Sequence, residues 1–120
     1  EGKRSKWLSS YTLACRHDDK FLEVGKASTG LKEKREEGLS FAEMTDLLKP
    51  LIKKEDGKEV EVKPKIVIEV GYEEIQKSPT YSSGYALRFP RVIQLREDRG
   101  PDDASTLKMV ESFYNKQKKR

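Results

Sequence analysis

Four arginines fall within the sixteen residues Gly84–Arg99, GYALRFPRVIQLREDR. Arg88 and Arg91 flank Phe89-Pro90, while Arg96, Asp98 and Arg99 close the run as an R-x-D-R cluster. Arginine presents a planar, permanently charged fork that matches phosphate oxygens. A strand delivering several of them therefore suits polyphosphate or a nucleic-acid backbone. Asp98 offers only acceptor oxygens, so it is no phosphate ligand without a metal and is expected instead to orient Arg99.

Other chemistry-bearing residues are sparse. Cys15 is the single cysteine, which excludes an internal disulfide and a paired zinc site, and its apolar setting SYTLACR reads as a core thiol. His17 is the single histidine and sits beside Asp18-Asp19 in what reads as a turn, so no metal site is expected. The 120 residues suffice for one domain. With 34% hydrophobic and 38% charged residues, the core must be thin and the surface densely charged. The net charge of +4 and the pI near 9.1 favour an anionic partner without demanding one. No apolar run approaches the roughly 18 residues of a membrane span, and the start is not signal-like. A cytoplasmic chain without a membrane partner is therefore expected.

The elements that must position these groups follow from periodicity. Trp7–Arg16 alternates, with Tyr11, Leu13 and Cys15 on one side, and predicts a half-buried strand. After the polar turn at residues 17–20, Phe21–Ala27 resumes the pattern, and Gly25 within it suggests a bulge or a close backbone approach. KEKREE at 32–37 reads as a solvated loop or helical turn. Ser40-Phe41-Ala42-Glu43 has capping-box spacing, and Phe41, Met44, Leu47, Leu48, Leu51 and Ile52 recur on one helical face. Pro50 should stop or kink that helix near Leu48, although the pattern persists for a further turn. Beyond the turn at Asp56-Gly57 come Glu59–Val62 and KIVIEV at Lys65–Val70, both strands, and then a loop over Gln76–Gly84. Tyr85, Leu87 and Phe89 share the face of a strand until Pro90, which implies an edge or bulge, and Arg91–Arg96 continue it. Gly100-Pro101 breaks the chain. Asp102 or Asp103 is placed to cap a final helix with Leu107, Val110, Phe113 and Tyr114 on one stripe, ending in a basic KQKKR tail.

Two strands, a helix and further strands make a mainly β order with helices, that of a five-stranded Greek-key barrel of the OB type, possibly lacking its first strand. The expected boundaries are an OB-fold domain over 1–101 and a C-terminal helix and basic tail over 102–120. LRFPR followed closely by RxDR resembles motif VI, the C-terminal signature of ATP-dependent DNA ligases of the archaeal and eukaryotic type. Gly2-Lys3-Arg4, Lys26 with Thr29-Gly30, Leu47–Ile52, Lys65–Val70 and Ser78-Pro79 resemble ligase positions in the right order. In that family an apolar strand precedes a GEGKR-like turn such as Glu1–Arg4. The resemblance thus implies a start one strand late, with an exposed sheet edge or an opened barrel.

What the resemblance implies about function is specific. The nucleophilic lysine of such ligases lies in a Lys-x-Asp-Gly motif on a separate N-terminal adenylylation domain. Here Lys58 follows Asp56-Gly57 instead of preceding it, so the isolated chain should be inactive and bind no cofactor of its own. In the full-length parent, with ATP and Mg²⁺, Arg96 and Arg99 would meet the β- and γ-phosphates and stabilise departing pyrophosphate. Asp98 would orient Arg99 or pair with the adenylylation domain of the same polypeptide. The domain would then swing onto nicked duplex DNA, with Phe89 either a core residue or a minor-groove wedge. Lys3, Arg4, Lys26, Arg88 and Arg91, with the amides of Thr29-Gly30, would contact phosphates, and Arg88 and Arg91 could instead serve ATP. A monomer is implied, nucleoid-associated if archaeal, with roles in replication, repair and recombination. Two other readings stay open at this point. One is a non-catalytic OB module that stacks single strands, against which the scarcity of aromatics counts. The other is the matching domain of an mRNA-capping nucleotidyltransferase.

Overall fold

In the computed structural model, which describes residues 8, 10–28, 40–57 and 59–118, the first alternating segment forms β1 (Tyr11–His17). Tyr11, Leu13 and Cys15 are buried and Thr12 and Ala14 exposed, as the alternation requires. β2 (Lys20–Ala27) folds back antiparallel across Asp18-Asp19, where Asp18 takes a left-handed φ of 56°. Leu13 faces Gly25 but Ala14 faces Glu23, so Val24 is an extra residue and the ladder bulges. A Cβ built at Gly25 would stand 3.7 Å from the Cβ of Leu87. The bulge thus sits beside Gly25, and the 3.7 Å spacing to Leu87 is ordinary van der Waals contact.

Ser40 opens α1 (Phe41–Leu48) with a complete capping box. The Glu43 N–H donates to Ser40 Oγ (3.1 Å) and the Ser40 N–H to Glu43 Oε1 (3.2 Å). Phe41, Met44 and Leu48 are buried in one cluster with Tyr11. Pro50 cannot donate, and the chain tightens into a 3₁₀ turn at Lys49–Leu51. Leu51 and Ile52 therefore do not extend the helix. Ile52 already belongs to β3 (Ile52–Asp56), which pairs with β4 (Glu59–Val62) through Gly57 at φ 64°.

Four more strands follow: β5 (Ile68–Gly71), β6 (Glu74–Lys77), β7 (Tyr85–Arg88) and β8 (Arg91–Leu95). Pairing begins at Ile68, not Lys65. β6 takes Gln76 and Lys77 from the expected loop over Gln76–Gly84, because its register is set by the hairpin to β7: Glu74 opposes Arg88 and Ile75 opposes Leu87. β8 pairs with β5 around the outside of this hairpin. The strands thus form four two-stranded antiparallel ladders. The fold is mainly β with two helices and is OB-like, with a barrel that is not closed.

α2 (Leu107–Lys118) starts later than the acidic pair suggests. Asp103 serves a short 3₁₀ turn instead, accepting the Gly100 N–H at 3.0 Å, and the Met109 N–H donates to Thr106 Oγ1 at 3.2 Å. Leu107, Val110 and Tyr114 pack against the core, whereas Phe113 points out and is 41% exposed. The Gln117 side chain reaches the backbone of Ile75 twice, accepting its N–H (2.8 Å) and donating to its carbonyl (2.5 Å). Ile75, 2% exposed, lies in the core cluster with Leu13, Cys15, Val24, Ala27, Val92 and Val110. Among the described residues no helix is long and apolar enough to cross a membrane.

Candidate functional site

The arginine-rich segment spans β7, a corner and β8. β7 pairs with β6 and β8 with β5, so the chain must change ladder at Phe89-Pro90. Proline disfavours the right-handed helical region for the residue before it, and Phe89 turns the corner with a left-handed φ of 52°. That conformation is rare for a bulky side chain and costs on the order of 1–3 kcal/mol. It takes Phe89 off the face it would share with Tyr85 and Leu87. The ring is 62% exposed and is no part of the core. Arg88 stacks over it, with its guanidinium carbon 4.9 Å from the ring centroid. Arg88 Nη1 also donates to Glu74 Oε2 at 3.1 Å, from the directly opposed position on β6.

β8 then changes parity. Val70 faces Val92 but Glu69 faces Gln94, so Ile93 is an inserted residue. Strict alternation from buried Val92 would aim Gln94 and Arg96 into the core; with one extra residue both turn outward. The Gln94 amide donates to Glu69 Oε1 at 2.6 Å, and Arg96 Nη1 lies 3.9 Å from the same oxygen. At the start of the strand, Arg91 faces Gly71. A Cβ there would come within 3.1 Å of the Arg91 guanidinium carbon and 3.0 Å of Ile93 Cδ1, so the bare glycine makes room for both.

The R-x-D-R cluster is a turn. The Arg96 N–H donates to Val67 O (2.9 Å), and the Arg99 N–H donates to Arg96 O (3.2 Å). Asp98 accepts a bidentate pair from Arg96, Nε at 3.0 Å and Nη2 at 2.9 Å, while Arg99 Nε stands 3.7 Å from Asp98 Oδ2. Donation from Arg96 holds the Asp98 carboxyl below its usual range, and the same hydrogen bond raises Arg96. Asp98 thus holds Arg96 more firmly than Arg99. The Arg96 fork keeps three of its five N–H groups for another acceptor.

The two ends of the segment are separate places. Seven residues of near-extended chain put Phe89 and Arg96 roughly 20 Å apart, too far to share one phosphate group. Lys26 is exposed on β2, one residue beyond the Gly25–Leu87 approach. Lys26 and Arg91 make no ion pair among the described residues. Lys3, Arg4, Thr29 and Gly30 lie outside the described residues, as does the KEKREE segment. Sequence reasoning missed Glu69, Glu74 and Gln94, which act across ladders. Only the β6–β7 pairing, symmetric about residue 81, could have revealed Glu74 opposite Arg88. Among the described residues no three His, Cys, Asp or Glu side chains converge as a metal-ligand set.

The comparisons with known proteins agree with one another. The ATP-dependent DNA ligase C-terminal region matches residues 4–99. The DNA ligase of Nanoarchaeum equitans is 53% identical over 122 residues, covering 98% of this chain and 22% of that ligase. Those of Archaeoglobus fulgidus and Methanothrix thermoacetophila are each 51% identical, covering 98% and 100% of this chain and 20% and 21% of theirs. The chain spans about a fifth of the length of the curated relatives it matches. With the arginine segment, the OB-like ladders and these matches in hand, the chain belongs to the family of ATP-dependent DNA ligase C-terminal regions.

Proposed function

We propose that this chain is the C-terminal domain of an ATP-dependent DNA ligase and serves two steps with the two ends of one strand. When a lysine of the adenylylation domain attacks the α-phosphorus of ATP, the bond to pyrophosphate breaks and charge builds on the departing β- and γ-phosphates. Arg96, pre-aligned by Asp98, and Arg99 stabilise that charge. Mg²⁺, expected in the whole enzyme, supplies further charge neutralisation of the phosphates when bound; no residue of this domain is assigned to hold it. After AMP has passed to the DNA 5′-phosphate, the domain turns its other end to the nicked duplex. Phe89 then enters the minor groove, and Lys26, Arg88 and Arg91 contact phosphates, joined by Lys3, Arg4 and the amides of Thr29-Gly30.

The observation that carries this reading is Phe89: a large apolar ring held in solvent on a left-handed corner, between two arginines. Single exposed apolar side chains are common, but this one is held outward by a strained backbone, which points to a use beyond packing. Apart from Phe89, the only exposed aromatic among the described residues is Phe113, on a different element. Among the described residues there is therefore no row of stacking rings for single strands beside Phe89, which favours clamping of the backbone. The isolated chain should bind nicked duplex weakly and without sequence preference. If about three side chains meet phosphates, log K falls against log salt with a slope of roughly −3. It should take up no label from radiolabelled ATP. A slope near zero, a preference for one base sequence, or a labelled protein band would each refute the reading.

A further inference from the structure

Glu74 stands out because its charge is wrong for its place. It lies on the ring-bearing corner, where a surface that closes on phosphates should gain nothing from a carboxylate. Yet the fold aims it at one atom. Glu74 is directly opposite Arg88 in the β6–β7 ladder, its Oε2 accepts from Arg88 Nη1 at 3.1 Å, and the Glu73 N–H donates to Arg88 O at 2.9 Å, closing the end of that ladder. Gln76 Nε2 lies 3.4 Å from the same carboxylate oxygen and steadies it from the solvent side. Arg88 in turn stacks on Phe89, whose ring is 62% exposed.

We infer that Glu74 is a positioning residue: it fixes the Arg88 guanidinium, which props the Phe89 ring in the pose that enters the duplex. The inference rests on the reading of Phe89 as a groove-entering ring. Arg88 donates one of its five N–H groups to Glu74 and keeps the others for phosphate, so holding and binding are compatible. An exposed aromatic left to sample its rotamers would have to be ordered at the moment of closure. A guanidinium stacked on its face reduces that cost in advance, by an amount typical of exposed cation–π pairs.

The inference and simple electrostatics predict opposite signs, which makes it testable. In the full-length ligase, Glu74→Ala, Phe89→Ala and the double variant are compared in single-turnover sealing of a pre-adenylylated nick at saturating DNA, with the Kd for nicked duplex measured alongside. Glu74→Ala is expected to slow sealing about two- to fivefold while the Kd does not weaken, since a negative charge has been removed. In the Phe89→Ala background the same change is expected to add nothing, because Glu74 acts through the ring. A Glu74→Ala enzyme that seals as fast as the parent or faster overturns the inference. So does an equal slowing in the absence of the ring. If Phe89→Ala itself seals normally, the reading of the ring has failed and the inference falls with it. Slow Phe89→Ala with unaffected Glu74→Ala leaves that reading standing and removes only the role of Glu74.

Discussion

Arg96 and Arg99 carry the same charge three residues apart, but the turn holds them differently, and that difference predicts unequal consequences. Arg96 is fixed by two short bonds to Asp98, with its side chain 31% exposed, whereas Arg99 has one longer approach of 3.7 Å and is 50% exposed. If both stabilise departing pyrophosphate, Arg96→Ala removes an aligned donor from the full-length ligase. Loss of such a preorganised charge contact slows lysine adenylylation by a factor on the order of 10²–10³. Arg99 must first be ordered, at about 1 kcal/mol for an immobilised long side chain, so Arg99→Ala should be roughly fivefold milder. Single-turnover formation of the labelled protein–AMP adduct measures this step. Sealing of a pre-adenylylated nick releases no pyrophosphate and should be much less affected by either change. If Arg96→Ala slows both reactions equally, the assignment to the ATP step is wrong. If Arg99→Ala proves the more damaging, the argument from alignment by Asp98 is wrong.

Three further outcomes follow from the geometry. Asp98, held below the ordinary carboxylate range by Arg96, contributes stability that is present above its unfolded value near 3.8 and is lost as pH falls through its lowered folded value. A carbon-detected titration of its carboxyl placing the midpoint at or above 3.8 would contradict this. Tyr11, whose hydroxyl is pushed up to about 12 by burial and donates to Leu8 O, holds its contribution below pH 10 and loses it as pH rises toward 12. Tyr11→Phe should flatten the decline of melting temperature across that interval, and an unchanged profile would refute the cause. Ser40→Ala removes the buried half of the capping box and should cost about 1 kcal/mol, or roughly 4 °C in Tm, by calorimetry. A shift below 1 °C would show that the cap contributes little.

Short-range features were legible in the sequence because they depend on neighbours in the chain. Tyr11, Leu13 and Cys15 announced β1, and Ser40 with Glu43 announced the start of α1. The arginine segment was legible for the same reason, four forked cations on one run. Long-range features were not. Whether Arg96 faces in or out depends on the insertion at Ile93, which only the pairing with β5 reveals. β6 was not legible because Gln76 and Lys77 run into the Ser-, Thr- and Pro-rich stretch that reads as loop, while Glu74 and Ile75 alone are too short to show an alternation, and with them went Glu74's role. Leu51 and Ile52 continued a helical spacing that Pro50 and the hairpin to β4 override. Phe89 kept the strand alternation in sequence, yet the change of ladder at Pro90 turns it outward. At Asp102 and Asp103 the residue type was right for a cap, but the 3₁₀ turn claimed Asp103 first and left Thr106 to begin α2.

Gln117 gives the outer side of β6 a partner that is not a strand. By taking both the N–H and the carbonyl of Ile75, its amide occupies the place another chain's backbone would need to add itself to this hairpin. The last turn of α2 therefore works as a guard against edge-to-edge aggregation. It also ties the helix to the sheet, so the helix cannot peel away without baring a template at the most buried residue of β6. Truncation within the final turn would thus reveal itself in solubility before it altered the secondary structure. The Ile75 amide proton would be the sensitive reporter, exchanging with solvent whenever the helix lets go.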